Sequence, residues 1–300
     1  MLRKHLFDQI DPELRASGEL DFYREWMIAA VGAGDIKLPL LPRTATEVLR
    51  IANDPNADLQ DLAQLIECDQ SLAGNVLRVA NSAAFGASRF NSLQDAIARL
   101  GMQNLVEITL SLSLKAGIFR NADYHDELSL TWKHALAASA FGKEIALLCR
   151  SNPEVQYLCG LLHTVGKPIA LNLLISMQRE RIWPMGRREI LYLIEDTHMA
   201  LGSRVAMDWN LPPQVATVCG FYSNYSNAPA FARECAMTFL SSLLATWLIE
   251  NSDDMEENQK AAKEILDNPV VGALGLSAQH AEGLLSKAEI IAEKVKSLSI

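Results

Sequence analysis

Three of the six histidines sit in stretches whose chemistry depends on what else converges on them. They are His134 in Trp132-Lys133-His134-Ala135, His163 in Gly160-Leu161-Leu162-His163-Thr164-Val165-Gly166, and His198 in Glu195-Asp196-Thr197-His198-Met199. Each lies within an apolar run of helical period. An imidazole there either hydrogen-bonds to nearby helix backbone or, with two others, offers nitrogen ligands to a cation. Three imidazoles and a water can hold a catalytic zinc, whereas magnesium-type ions require oxygen donors. Thr164 and Glu195 belong to the same segments. Spacing alone leaves open whether His134, His163 and His198 share a pocket. No residue is assigned a catalytic role, and no cofactor is expected. His134, His163 and His198 are the candidates should a divalent metal bind.

Other chemistry-bearing types offer less. Ser111 and Ser113 lie on a helix without a matched base, and Gly32-x-Gly34 lacks the strand and helix of a dinucleotide site. Cys68, Cys149, Cys159, Cys219 and Cys235 include no CxxC pair, so they read as buried, reduced thiols. Arg179, Arg181, Arg187 and Arg188 read as a solvated basic face. Phe85, after the turn-like Asn81-Ser82-Ala83-Ala84, and Trp209 are candidate contact residues. Trp26, Trp132, Trp183, Trp209 and Trp247 read chiefly as core anchors.

The elements that must position these residues are helices. Leu20, Tyr23, Trp26, Met27 and Ala30 share a helical face before Gly32-Ala33-Gly34-Asp35 breaks the chain. Leu38-Pro39-Leu40-Leu41-Pro42 is extended, because a residue before proline is driven from the α region. Asp58, Asp69 or Ser71, and Ser92 with Asp95 are N-terminal caps, and Gly101 ends a helix. An apolar helix follows over 104–118. Further helices are expected over 129–149, 154–163, 168–179, 187–207, 212–221 and 231–250. An acidic stretch, 251–258, is a linker or a helix start, and one periodic helix follows over 278–297, capped by Ser277. The expected fold is all-α: a helical lead (1–34), a first bundle (35–125), a second bundle (126–250), and an acidic linker with a C-terminal helix (251–300).

Composition bounds the function. The 300 residues are 49% apolar and carry a net charge of −9, ample for one large domain or two of about 150 residues. Nucleic acid needs a clustered basic face, so it is not an expected partner. Met1 to Asp11 lacks the apolar stretch of a signal peptide. His163, Lys167 and Pro168 interrupt the most apolar region, Gly160 to Met177. The expectation is a cytoplasmic protein with no membrane partner.

Several separated segments together resemble the HD-related output domain family. They are Leu38–Pro42, Asp69–Leu72, Val79–Gly86, Ser92–Gly101, Trp132 with His134, Gly160–Gly166, Glu195 through Gly202, and Trp209-Asn210-Leu211-Pro212. The resemblance covers roughly 25–250. It implies a helical bundle packed on an HD-phosphohydrolase-like bundle, with a role in bacterial signal transduction. Hydrolase relatives hold metal with an early histidine, a His-Asp pair, a later aspartate and further histidines. Here His134 and His163 match the first two histidines and His198 a later one. Thr164 stands at the aspartate of the pair, so the resemblance implies a degenerate pocket of His134, His163, Thr164, Glu195 and His198, its shape kept by hydrogen bonds of the rings to helix backbone and Glu195. Phe221-Tyr222 stands where active relatives have a second histidine pair, and 239–247 contains no acid. The implied function is a non-catalytic regulatory module that binds a signalling protein or a small ligand. The alternative is a metal-dependent phosphohydrolase, acting on a nucleotide or cyclic dinucleotide through an atypical histidine site.

Overall fold

A computed structural model describes residues 19–33, 38–86, 90, 92–179, 185–250 and 255–299. All regular elements among these residues are helical. They are α1 (Glu19–Ala33), α2 (Arg43–Asn53), α3 (Leu59–Glu67), α4 (Gln70–Ala80), α5 (Leu93–Gly117), α6 (His125–Leu148), α7 (Pro153–Leu162) and α8 (Gly166–Arg179). There follow α9 (Arg187–Asp208), α10 (Pro213–Phe221), α11 (Ala232–Ile249), α12 (Met255–Leu266), α13 (Pro269–Ala273), α14 (Ala278–Leu285) and α15 (Ala288–Leu298). Short 3₁₀ turns occupy Ala83–Phe85 and Tyr222–Asn227.

Local chemistry sets the boundaries. The Asp58 carboxylate accepts from the amides of Gln60 and Asp61, and the Asp61 carboxylate accepts from the Asp58 amide, closing a capping box at α3. Asp69 caps α4, Ser92 caps α5 and Asn152 caps α7, which opens on Pro153. Asn210, at φ 53°, ends α9 in the left-handed region, and Leu211 N donates to Ala206 O across the turn at 3.0 Å.

Two of the expected boundaries hold, and the single tail helix needs correction. Gly101 leaves helical geometry (φ 72°, ψ 169°), so the first helix ends there as expected and a second follows directly, the two together making up α5. The tail is two helices, α14 and α15, because the chain turns at Ser286, whose hydroxyl donates to Gly283 O at 2.8 Å. Of the two readings of the acidic stretch the helix start holds, since α12 starts at Met255 with Glu256 and Glu257 in the favourable first turn. Residues 1–18, 34–37, 180–184 and 251–254, including Trp183 and Arg181, lie outside the described residues.

By contacts the chain divides into two units that cut across the four expected segments. Unit 1 comprises Met1–Pro39 and Ala137–Lys287; unit 2 comprises Leu40–Leu136 and Ala288–Ile300. The lead helix joins the later bundle because it packs on α9, where Arg24 donates to Asp196 at 3.3 Å.

In unit 1, α8, α9 and α10 pack side by side, with α7 and α11 against α10. Phe141, Leu161, Leu162, Leu193, Val205 and Met237 are buried there. The Gln156 amide donates to Thr238 Oγ1 at 2.8 Å, linking α7 to α11. Residues 153–179 are apolar and long enough to span a membrane, but 78% of their most apolar window is buried inside the fold. Residues 163–165 also split them into α7 and α8.

In unit 2, α5 packs against α2, α3 and α4 around Val48, Leu62, Ile66, Val76, Leu105 and Ile108. Gly117 admits the Pro42 ring, which a Cβ would meet at 2.4 Å. Trp132 is buried against Phe119, with ring centroids 4.9 Å apart, and its indole donates to Leu298 O at 3.2 Å. Of the four described tryptophans, Trp132 alone is fully buried; Trp26, Trp209 and Trp247 are half-buried.

Candidate functional site

Unit 1 brings His163 and His198 together around Tyr222. His163 caps the C-terminus of α7 with helical dihedrals, so its ring folds back and Nδ1 reaches Gly160 O at 2.7 Å. On α9, His198 Nδ1 reaches Glu195 O at 2.8 Å in the same three-residue relation. A carbonyl oxygen only accepts. In the neutral ring the proton therefore sits on Nδ1, and Nε2 carries the lone pair. Both rings are buried. The Tyr222 ring meets His163 edge-on, with centroids 4.8 Å apart and planes at 83°, and lies 6.4 Å from His198. Tyr222 itself is buried.

Small residues make this convergence possible. A Cβ on Gly166 would stand 1.8 Å from His198 O and 2.8 Å from Gly202 N, so α8 crosses α9 backbone to backbone at the histidine. A Cβ on Gly160 would stand 2.6 Å from Ala138 O. Gly202 faces Gly166 N and the Cys219 Cβ, and the Cys219 thiol donates to Leu162 O at 3.3 Å, tying α10 to the end of α7. These glycines lie within apolar helical runs, where they lower helix propensity and signal a close approach. That signal was present in the sequence but says nothing of the partner.

The donor chemistry around the rings is neutral. Thr164 is buried, and its Oγ1 has no hydrogen-bond partner. Glu195 supplies the nearby carboxylate, but its Oε1 is 2.5 Å from Lys167 Nζ in a partly buried ion pair. Among the described residues no three His, Cys, Asp or Glu side chains are grouped so as to hold a metal. Two imidazoles, a threonine hydroxyl and a phenol do not fit a divalent ion that requires anionic oxygen. His134 is half-buried on α6, in the part that clusters with unit 2.

The remaining candidates are placed as follows. Phe85 is half-buried rather than exposed, because its turn lies against α15, where Lys294 Nζ stands 5.9 Å from the ring centroid. The Trp209 indole donates to Pro39 O at 2.8 Å. Ser111 and Ser113 are buried, and Ser113 Oγ donates to Thr109 O. Burial pushes the Cys219 and Cys235 thiols up to about 12 and raises Cys159 well above its ordinary value, so none is a ready thiolate. Sequence reasoning treated Tyr222 only as a missing histidine and overlooked Lys167 as the partner of Glu195.

A family model described as HDOD domain matches residues 38–225. An uncharacterized protein of Treponema pallidum (strain Nichols) is 29% identical over 203 residues, covering 64% of this chain and 39% of the relative. The chain thus spans well under half of that relative's length. Among solved structures, an HDOD domain protein of unknown function from Geobacter sulfurreducens is 22% identical, with TM-score 0.66 over 94% of this chain and 98% of the other. A Shewanella amazonensis SB2B protein provisionally named a phosphohydrolase is 20% identical, with TM-score 0.67 over 90% and 97%. A Marinobacter aquaeolei VT8 protein provisionally named a signal transduction protein is 21% identical, with TM-score 0.60 over 88% and 60%. At these identities the likeness concerns the fold.

Proposed function

Because the chain belongs to the HDOD domain family, we propose that it is a cytoplasmic regulatory module of bacterial signal transduction, acting by binding rather than by hydrolysis. The observation that carries this reading is the Tyr222 ring seated against His163 in a site whose neighbouring donors are neutral. Phosphoryl hydrolysis by a bound ion needs anionic ligands to hold the cation and an open position for water. Thr164 offers neither at the place where the resemblance expects an aspartate. The Lys167–Glu195 pair neutralises the nearest carboxylate.

On this reading the pocket is a structural node joining α7, α8, α9 and the turn after α10. Its partner is a signalling protein or a small ligand, and the relative named for signal transduction supports that class. The relative named as a phosphohydrolase, together with two rings whose Nε2 carries the lone pair, supports the rival hydrolase reading.

One experiment separates the two. Metal content of the purified 300-residue chain is measured, followed by phosphodiesterase and nucleotidase assays with Mn²⁺, Mg²⁺ and Fe²⁺. The expected result is substoichiometric metal and no turnover above buffer. Stoichiometric metal with turnover that disappears in His163→Ala establishes the hydrolase instead.

A further inference from the structure

Apolar residues recur through the C-terminal segment at Ala281, Leu284, Ala288, Ile291, Val295 and Leu298, in alternating steps of three and four. That is the register of one uninterrupted helix. Neither glycine nor proline occurs from Leu284 to Leu298. The chain nevertheless turns after α14, which divides the stripe between the two units. Ala281 and Leu284 are buried residues of unit 1, whereas Ile291, Val295 and Leu298 are buried residues of unit 2. The boundary falls between Lys287 and Ala288, at the turn itself.

Local geometry does not lock this turn. After α6, α9 and α13 stand Arg150, Asn210 and Gly275 at φ 54°, 53° and 70°, left-handed residues that stop a helix from continuing. Ser286 instead has right-handed helical dihedrals (φ −64°, ψ −16°). Its amide donates to Glu282 O at 3.0 Å, the ordinary helical bond, and the ladder changes only at Lys287, whose amide reaches Leu284 O at 3.2 Å. Straightening exchanges that tighter bond for the one an α-helix makes. The forces that keep the turn closed are tertiary. Lys287 pairs with Glu144 in unit 1. In unit 2, α15 rests on α4, α5 and the Phe85 turn, with Lys294 Nζ over the Phe85 ring and the Trp132 indole bonded to Leu298 O.

We propose that Ser286-Lys287 is a hinge through which two copies of this chain exchange α15, each seating it on α4, α5 and the Phe85 turn of the other. In the exchanged form Ala278–Leu298 is one continuous helix. The receiving surface fits a second copy by construction, because it is the surface that α15 already covers within its own chain. The contacts of α15 with unit 2 are regained in the dimer. The straightened hinge gives up at most the Lys287–Glu144 pair, and partly exposed pairs contribute little. Exchange of an identical element is a low-cost route to a dimer on these grounds. A local helical preference at odds with the observed turn supplies the second conformation. The proposal does not depend on the histidine pocket, so either can fail without the other.

The test holds the 300-residue chain at high concentration in mild urea, returns it to buffer and resolves it by size-exclusion chromatography with light scattering. A dimer whose fraction rises with concentration is expected. Alanine and glycine differ by about five-fold in helix preference per residue. With two hinges in each dimer, Ser286→Ala should therefore dimerise about twenty-five-fold more strongly than Ser286→Gly. Ser286 is exposed, so both variants should fold, which circular dichroism checks. Exchange itself is read by mixing Phe85→Cys chains with Lys294→Cys chains through the same treatment. Both carry Cys68→Ser, which removes the exposed thiol. A bismaleimide should join the two kinds of chain within the dimer fraction; if Phe85→Cys does not fold, the hinge pair decides. Monomer throughout in the native chain and in Ser286→Ala, equal dimerisation of the two hinge variants, or a dimer without the cross-link between chains overturns the proposal.

Discussion

Gly166 lies directly against the main chain of His198, so closely that a methyl group there would fall 1.8 Å from the His198 carbonyl oxygen. The neighbour is backbone and cannot rotate away. Gly166→Ala must therefore push α8 off α9 and displace the His198 ring. A destabilisation of about 3 kcal/mol or more is expected in urea unfolding, at or beyond the upper end of ordinary overpacking. Gly202→Ala, whose Cβ would meet Gly166 N at 3.3 Å, should cost visibly less. Equal losses would show that the crossing is not the tight point.

The Tyr222 ring faces both imidazoles. Tyr222→Ala removes a buried ring, and large-to-small changes of this kind cost about 3–5 kcal/mol. If the tyrosine instead occupies a ligand's place, a folded Tyr222→Ala chain should gain ligand or metal uptake with little loss of stability. Melting temperature and metal content, measured on one preparation, distinguish the outcomes.

Thr164→Asp supplies a carboxylate next to His163. No hydrolytic activity is expected with Mn²⁺, Mg²⁺ or Fe²⁺, because the second anionic ligand is still lacking among the described residues. A burial cost should appear instead, since Thr164 is 2% exposed and a charge there has no evident counterion. Turnover by the variant would mean that other acids complete the site.

Cysteine reactivity gives a direct measure of packing. Cys68 is exposed, whereas Cys149, Cys159, Cys219 and Cys235 are buried. One fast-reacting thiol of five is expected with an aromatic disulfide reagent at pH 8, the rest reacting on unfolding. The pH dependence follows from the raised values. Below the ordinary 9.0 the Cys219 and Cys235 thiols are protonated in both folded and unfolded chains. Above it the unfolded chain loses protons that the fold retains, so stability falls as pH rises from about 9 toward about 12. Stability that stays level across that window would contradict the burial of these two thiols.

Deleting residues 288–299 should selectively weaken unit 2. Ile291, Val295 and Leu298 are buried, and each such side chain contributes about 1.5–3 kcal/mol as an upper estimate. Trp132 also loses the acceptor at Leu298 O. Indole fluorescence should shift to the red, and the Trp132→Phe background should remove most of that shift.

Helix content was legible because caps and apolar period agree locally. Asp58, Asp69, Ser92 and Ser277 each open the helix assigned to them. The break at Gly101 was legible, since glycine adopts the positive φ that interrupts the ladder. The turn at Ser286 was not, because the apolar period runs through it. Contact partners far apart in sequence were the least accessible. Neither the packing of α1 on α9 nor that of α15 within unit 2 has a local signal. In the pocket, residue types pointed to His163, Thr164 and His198, while the placement of Tyr222 depends on where the turn after α10 returns.

The discontinuity of unit 2 also orders the birth of the protein. Residues 40–136 leave the ribosome well before α15, the helix that closes them, with all of 137–287 made in between. At about 5–20 residues per second this interval is roughly 10–30 s. Throughout it the parts of α4 and α5 that later pack against α15 are uncovered. A nascent chain with apolar surface open for so long is a natural client for chaperones, and synonymous slow codons late in the message would lengthen that dependence.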